Sequence, residues 1–244
     1  MDAAQDALES GDLVRTLYFT CRLNSTVLAA GAPVVLPKDC SPPAFAFPDV
    51  AESAQSAAQV QDFRLSLERE VAEAMAAERG IQSSAIMGDW GMRKLISKLA
   101  GPDAAWYITI PRLRIPVLEE LESDLRTVST PYILIAHSLG SVISLELLSR
   151  GLISMPDTFV TVGSPLAWGA IRRRLPTPTQ SFPRWINIYD PNDGANKFGP
   201  MNPDDYPTID NLEVDNPPVD GNHDLYGYLT APEARRRLRD LVTS

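Results

Sequence analysis

Five consecutive residues, Ala136-His137-Ser138-Leu139-Gly140, set a serine where a short apolar run gives way to a helix-forming one. Small residues stand two positions to either side of Ser138. A very sharp strand-to-helix bend requires this, because larger side chains there would collide with neighbouring backbone. Such a bend lifts a serine hydroxyl clear of the sheet at its carboxyl-terminal edge. The helix that follows aims its positive end, and the free backbone N–H of Leu139, at any oxyanion formed beside it. The chemistry expected of Ser138 is nucleophilic attack on a carbonyl. A serine before a helix also serves as an N-cap, but the five-residue setting after an apolar strand favours the nucleophile.

A serine hydroxyl needs a base, and imidazole is the usual one near neutral pH. The chain holds 2 histidines. His137 adjoins Ser138, where consecutive side chains diverge, so it is expected as a wall or orienting residue of the site. His223 lies in Gly221-Asn222-His223-Asp224-Leu225-Tyr226, a polar loop ahead of the terminal helix, and is the base by elimination. The acid that orients the imidazole is sought at the carboxyl end of a strand. Asp190 and Asp193, in Asp190-Pro191-Asn192-Asp193-Gly194, both qualify. Asp190 also suits the side-chain cap of an Asp-Pro turn, and Asp224 is a weaker rival because it diverges from its neighbour His223.

The elements that must position these groups are legible along the chain. Leu13 to Thr20 is apolar and rich in β-formers, which predicts a strand. Residues 24–50 carry five prolines and read as loop. A long helix is expected from about Val50 to Arg79, stopped by Gly80, and a second from about Gly88 to Leu99. From Pro116 the positions Val117, Leu118, Leu121, Leu125 and Val128 recur at helical spacing, with proline at the start and acids in the first turn. Tyr132 to Ala136 is a short continuous apolar run, as in a strand buried on both faces. A helix over Leu139–Leu148, strands over Thr158–Val162 and Trp185–Tyr189, and a helix over about Pro232–Val242 follow. Residues 190–222 show almost no apolar periodicity and read as one long loop of functional character. Strands alternating with helices predict a mostly parallel sheet with helices on both faces.

Pro131 to Gly151 (PYILIAHSLGSVISLELLSRG) resembles the elbow region of lipase- and esterase-like members of the α/β-hydrolase superfamily. Thr161-Val162-Gly163-Ser164-Pro165-Leu166 is similar to the T-x-G-S-P segment that many of them carry after the next strand. The resemblance covers roughly residues 116–229. The usual elbow is G-x-S-x-G, and Ala136 replaces its first glycine with one extra methyl. The resemblance implies the α/β-hydrolase fold, a histidine where His223 stands, and an acid a few residues past the strand at Trp185–Tyr189. That makes Asp193 the choice and Asp190 the reserve. The order Ser138, Asp193, His223 is the order of this superfamily.

One part of the pattern is missing. The second oxyanion donor of the family comes from a loop after an early strand, often H-G-G-G or H-G-x-G, and this chain has no such motif. Either the loop after Thr20 supplies an N–H from an atypical sequence, or the first unit is shortened. The resemblance also thins out over residues 1–115, whose helices are read as covering the sheet or forming a lid. Trp90, Trp106 and Tyr107 are expected in the core rather than in a substrate cage.

The bulk numbers suit a single domain. The chain has 244 residues, 44% of them hydrophobic, and a formal net charge of −9, which argues against a nucleic-acid partner. The runs Arg172–Arg174 and Arg235–Arg237 read as solvated helix faces. No apolar run reaches the roughly 18 residues of a membrane span, and the acidic N-terminus lacks the order of a secretory signal. Cys21 and Cys40 are expected as free thiols in a cytoplasmic protein. No Cys/His spacing suits a metal, and no cofactor is expected. The expectation is thus a serine hydrolase acting on an ester or thioester of a small acyl substrate. The alternatives are an acyltransferase or cyclase using the same triad, and a non-catalytic binding protein that keeps the fold.

Overall fold

The computed structural model describes residues 14–17, 54–79, 102–126, 128, 130–176, 178, 181–196, 198–216 and 223–243. Its centre is a sheet of five parallel strands in chain order: β1 (Val14–Leu17), β2 (Ile133–His137), β3 (Thr158–Val162), β4 (Trp185–Tyr189) and β5 (Ile209–Glu213). The helices are α1 (Ala54–Arg79), α2 (Pro102–Thr109), α3 (Pro111–Leu125), α4 (Leu139–Ser149), α5 (Gly169–Arg172), α6 (Leu225–Thr230) and α7 (Pro232–Thr243). Every residue of β3 and β4 is buried, which is why their sequences are continuous apolar runs instead of alternating ones.

Side chains alternate between the two faces of the sheet, and each face has its own core. Leu134, Ala136, Phe159 and Trp185 join Phe63, Leu67 and Val71 of α1 and the apolar residues of α2 to α4. Ile135, Val160, Val162, Ile186 and Ile188 join Leu225, Tyr228, Leu229 and Ala234 of α6 and α7. The α/β architecture with helices on both faces is as expected, and α1 serves as cover for the sheet.

The helix α4, which follows the serine, is buried along its whole length, so its sequence is apolar all round. Its one charge, Glu146, is fully buried and is neutralised by Arg114 at 3.3 Å and Arg150 at 2.6 Å, with the Tyr107 hydroxyl donating at 2.8 Å. This cluster ties α2 and α3 to the base of α4. Tyr107 is a core residue, as expected.

Two expectations are corrected. The helix expected to start at Pro116 starts at Pro111, with Ile110 in extended conformation before it, and Pro116 lies inside. Both prolines fit a first turn by type; the extended backbone at Ile110 decides between them. The short α2 ahead of it carries 8 residues, too few to show a period. Residues 190–222, read as one loop, contain β5. Its sequence IDNLE is polar because it is a half-buried last strand held by side chains as well as by its backbone ladder. Thr161 Oγ1 donates to Asn187 Oδ1 (3.0 Å), Asn187 Nδ2 to Asn211 Oδ1 (2.9 Å), and Asn211 Nδ2 to the Met201 carbonyl (2.9 Å). Thr161, Asn187 and Asn211 are register partners, so this ladder, buried at Thr161 and Asn187 and half-buried at Asn211, also pins the pairing of β3, β4 and β5.

The expected loop over 24–50, helix over 88–99, Trp90 and both cysteines lie outside the described residues. The arginines of the first basic run pair within the fold: Arg172 with Asp205, Arg173 with Glu70 and Arg174 with Asp62; Arg237 of the second pairs with Asp210. Among the described residues no helix is long and apolar enough to cross a membrane.

Candidate active site

β2 ends at His137 and α4 begins at Leu139, leaving Ser138 as the whole connection. Its backbone has φ 52° and ψ −130°, and it is the one non-glycine residue with positive φ among those described. L-residues avoid that region at a cost of about 1–3 kcal/mol, so the neighbours must hold it. Ser138 N–H donates to the Val162 carbonyl (3.0 Å), and the Ser138 carbonyl accepts from Ser141 N–H (3.0 Å) and the Ser141 hydroxyl (2.5 Å). The Ser141 and Ser164 hydroxyls lie 2.6 Å apart, and Ser164 Oγ accepts from Leu166 N–H at 3.3 Å. Val162 of β3, Ser141 of α4, and Ser164 and Leu166 of the turn after β3 thus brace the bend.

Ser138 Oγ lies 2.8 Å from His223 Nε2, and His223 Nδ1 lies 2.7 Å from Asp193 Oδ2. With Asp193 as acceptor, Nδ1 carries the imidazole proton, and the Nε2 lone pair is left to accept from the serine hydroxyl. Asp193 is buried, while a third of the His223 side chain is exposed, so the imidazole is open on one side and anchored on the other. Asp193 Oδ1 accepts from Ala195 N–H at 2.9 Å, which fixes the carboxylate's rotation.

The other sequence candidates have separate places. Asp190 is not joined to His223; its Oδ1 accepts from Asn192 N–H (2.7 Å) and its Oδ2 from Asn216 N–H (3.1 Å). It is the turn cap that Asp-Pro allows, and it also ties the end of β4 to the chain leaving β5. Asp224 caps α6 by accepting from Gly227 N–H at 2.8 Å. His137 points to the α6 face of the sheet, where its Nε2–H donates to the His223 carbonyl at 3.1 Å and its ring centroid stands 4.8 Å from that of His223. Burial first, then repulsion from His223, lowers its pKa to about 3, so it stays a neutral donor. It thus holds the backbone of His223.

Gly163 is placed by two constraints at once. Its φ is +53°, and a Cβ there would meet Tyr228 Cε2 at 3.0 Å, Asp193 Oδ2 at 3.2 Å and His137 Cδ2 at 3.4 Å. The glycine of the T-x-G-S-P segment therefore leaves room for Asp193.

Sequence reasoning missed three residues here. The buried Asn196 donates from Nδ2 to the Ser164 carbonyl (2.9 Å) and accepts from Asp190 N–H at Oδ1 (3.2 Å). Asn216 Nδ2 donates to the Asp224 carbonyl at 3.2 Å. The hydroxyl of Tyr228 lies 2.7 Å from Asp193 Oδ2 and 2.9 Å from Asn196 Oδ1. Asn196 and Asn216 sit in polar loops where any asparagine looks alike, and a tyrosine in an apolar helix reads as core. Among the described residues no group of three or more His, Cys, Asp or Glu side chains is placed to hold a metal. No family model, curated protein or solved structure matches the chain.

Proposed function

We propose that the chain is a serine hydrolase of the α/β-hydrolase type, cleaving a carboxylic ester or thioester through an acyl-enzyme on Ser138. The observation that carries this reading is the unbroken line from Ser138 Oγ through His223 to Asp193, at 2.8 and 2.7 Å, starting from a serine held at positive φ at the carboxyl edge of a parallel sheet. A serine that only capped α4 would need neither feature, and Ser138 makes no side-chain cap to that helix.

In this reading His223 Nε2 takes the Ser138 proton as Oγ attacks the carbonyl carbon. The carbonyl π electrons move to oxygen, and the oxyanion faces the N–H of Leu139, which has no acceptor within its own helix. Asp193 stabilises the imidazolium without taking its proton. His223 then gives that proton to the departing alcohol or thiol, and water repeats the sequence to release the acid. A second oxyanion donor belongs near the end of an early strand. β1 is the early strand beside the elbow, its last residue Leu17 pairing with Ala136 two residues before Ser138; in this reading the donor follows it.

The test is labelling with a fluorescent fluorophosphonate. Native chain is expected to label, and Ser138→Ala and His223→Ala to lose the label. A folded native chain that stays unlabelled would overturn the reading.

A further inference from the structure

The hydroxyl of Tyr228 is fully enclosed and sits where three elements meet. Asp193 and Asn196 come from the turn after β4, Asp190 from the end of β4, and Tyr228 itself from α6. Asp190 N–H donates to the phenolic oxygen at 3.2 Å. The oxygen's own proton has two acceptors within reach, Asp193 Oδ2 at 2.7 Å and Asn196 Oδ1 at 2.9 Å. Of these the carboxylate is the stronger, being charged and closer, and Asn196 Oδ1 already accepts from Asp190 N–H. Asp193 Oδ2 therefore accepts two hydrogen bonds at once, one from Tyr228 and one from His223 Nδ1.

We propose that Tyr228 is a positioning residue for the triad: it holds Asp193 Oδ2 in the plane of the His223 imidazole and spreads the carboxylate's charge over a second donor. The proposal rests on the reading of Ser138, His223 and Asp193 as a catalytic triad. The need for such a donor follows from the surroundings. Asp190 and Asp193 are both buried, and the described contacts of both bring no Lys or Arg, only N–H groups, the tyrosine and the imidazole. His137 stands behind them, neutral. Burial, followed by the Asp193 charge, raises the phenol's ionisation far above the ordinary tyrosine range, so the O–H remains a donor wherever the enzyme works.

The phenol also joins the two loops that carry base and acid. Asp193 belongs to the turn after β4, while Tyr228 stands five residues past His223 in α6. A single hydroxyl thus makes the distance between the two loops a property of a buried contact instead of loop packing alone. Removal of the oxygen should loosen that distance and leave a more basic carboxylate, which retains the proton on His223 to higher pH.

The experiment compares fluorophosphonate labelling rates of native chain, Tyr228→Phe, Asp193→Asn and the double variant across pH. In Tyr228→Phe the plateau rate is expected to fall by on the order of tenfold, as loss of a charge-assisted hydrogen bond implies, and the acid limb to move to higher pH. In the Asp193→Asn background the same change should cost almost nothing further, because the two residues act through one contact. Equal effects in both backgrounds, or an unmoved acid limb, would overturn the proposal and leave the triad standing. Native chain that does not label would overturn the triad itself and this proposal with it. A proton NMR spectrum of native chain gives a check that needs no variant. It should hold a low-field His223 Nδ1–H resonance with a cross-peak to a slowly exchanging phenolic proton. A spectrum with the first and not the second would place the phenol's proton on Asn196 and sink the proposal.

Discussion

His137 Nε2 donates to the backbone carbonyl of His223 at 3.1 Å, so the strand that leads into Ser138 also holds the backbone of His223. The two residues are 86 apart in sequence, and the contact lies beneath the imidazole, which is partly open to solvent on its other side. Burial and the neighbouring His223 ring keep His137 neutral here, outweighing the carbonyl, which by itself favours the protonated form. Protonation would place a cation beside the His223 imidazole, 4.8 Å away between ring centroids.

That preference for the neutral form predicts an acid-sensitive stability. The pKa of His137 is lowered from 6.5 to about 3 in the folded chain, so between these values the unfolded chain takes up a proton that the folded chain does not. The contribution is complete above pH 6.5 and is lost as pH falls towards 3, at about 1.4 kcal/mol per pH unit for one proton. Urea midpoints of native chain and His137→Asn between pH 4.5 and 7 should show the steeper decline in native chain. Parallel slopes would contradict a buried neutral His137.

Gly163→Ala should harm activity beyond its effect on folding. A positive φ and a Cβ pressed against Tyr228, Asp193 and His137 together cost about 1–3 kcal/mol. Because all three neighbours form or hold the proposed acid and base, the labelling rate of the molecules that remain folded should also drop. Thermal melts and labelling rates on the same samples separate the two effects; a full rate with a lowered melting temperature would refute the second.

The two neighbouring acids should respond in opposite ways. Asp193→Asn removes the acceptor of the His223 proton and is expected to slow labelling by on the order of 10³–10⁴ with a small change in stability. Asp190→Asn keeps the triad but turns an amide donor towards the N–H of Asn192 or Asn216, which should cost about 1–3 kcal/mol of stability and far less rate. Reversed results would make Asp190 the acid.

Ser138→Gly is expected to abolish labelling and to raise stability by about 1 kcal/mol, since glycine accepts the positive φ that serine tolerates at a cost. Chemical denaturation of Ser138→Gly against Ser138→Ala reads this directly. A glycine variant less stable than the alanine variant would show that the bend is not strained.

The local part of this protein was written in its sequence. Ser138 between a buried strand and an apolar helix, Gly163 ahead of Ser164 and Pro165, and the apolar runs of β2, β3 and β4 are legible because each is dictated by neighbours a few residues away. Boundaries failed where two residues of one type competed, as Pro111 and Pro116 did, or where long-range partners made an element. β5 is a strand because Asn187 and Tyr189 of β4 give Asn211 and Glu213 hydrogen-bond partners, and nothing within IDNLE announces them. The same holds in the site. Sequence order and elimination singled out His223 and left Asp190 and Asp193 as neighbours differing by three positions. Only the folded chain assigned one carboxylate to the imidazole and the other to the turn, because that choice depends on where β4 stops relative to a loop some thirty residues later. Tyr228, Asn196 and Asn216 were decided wholly by tertiary structure: a hydroxyl or an amide becomes part of a site through the groups that enclose it, and those come from other strands, turns and helices.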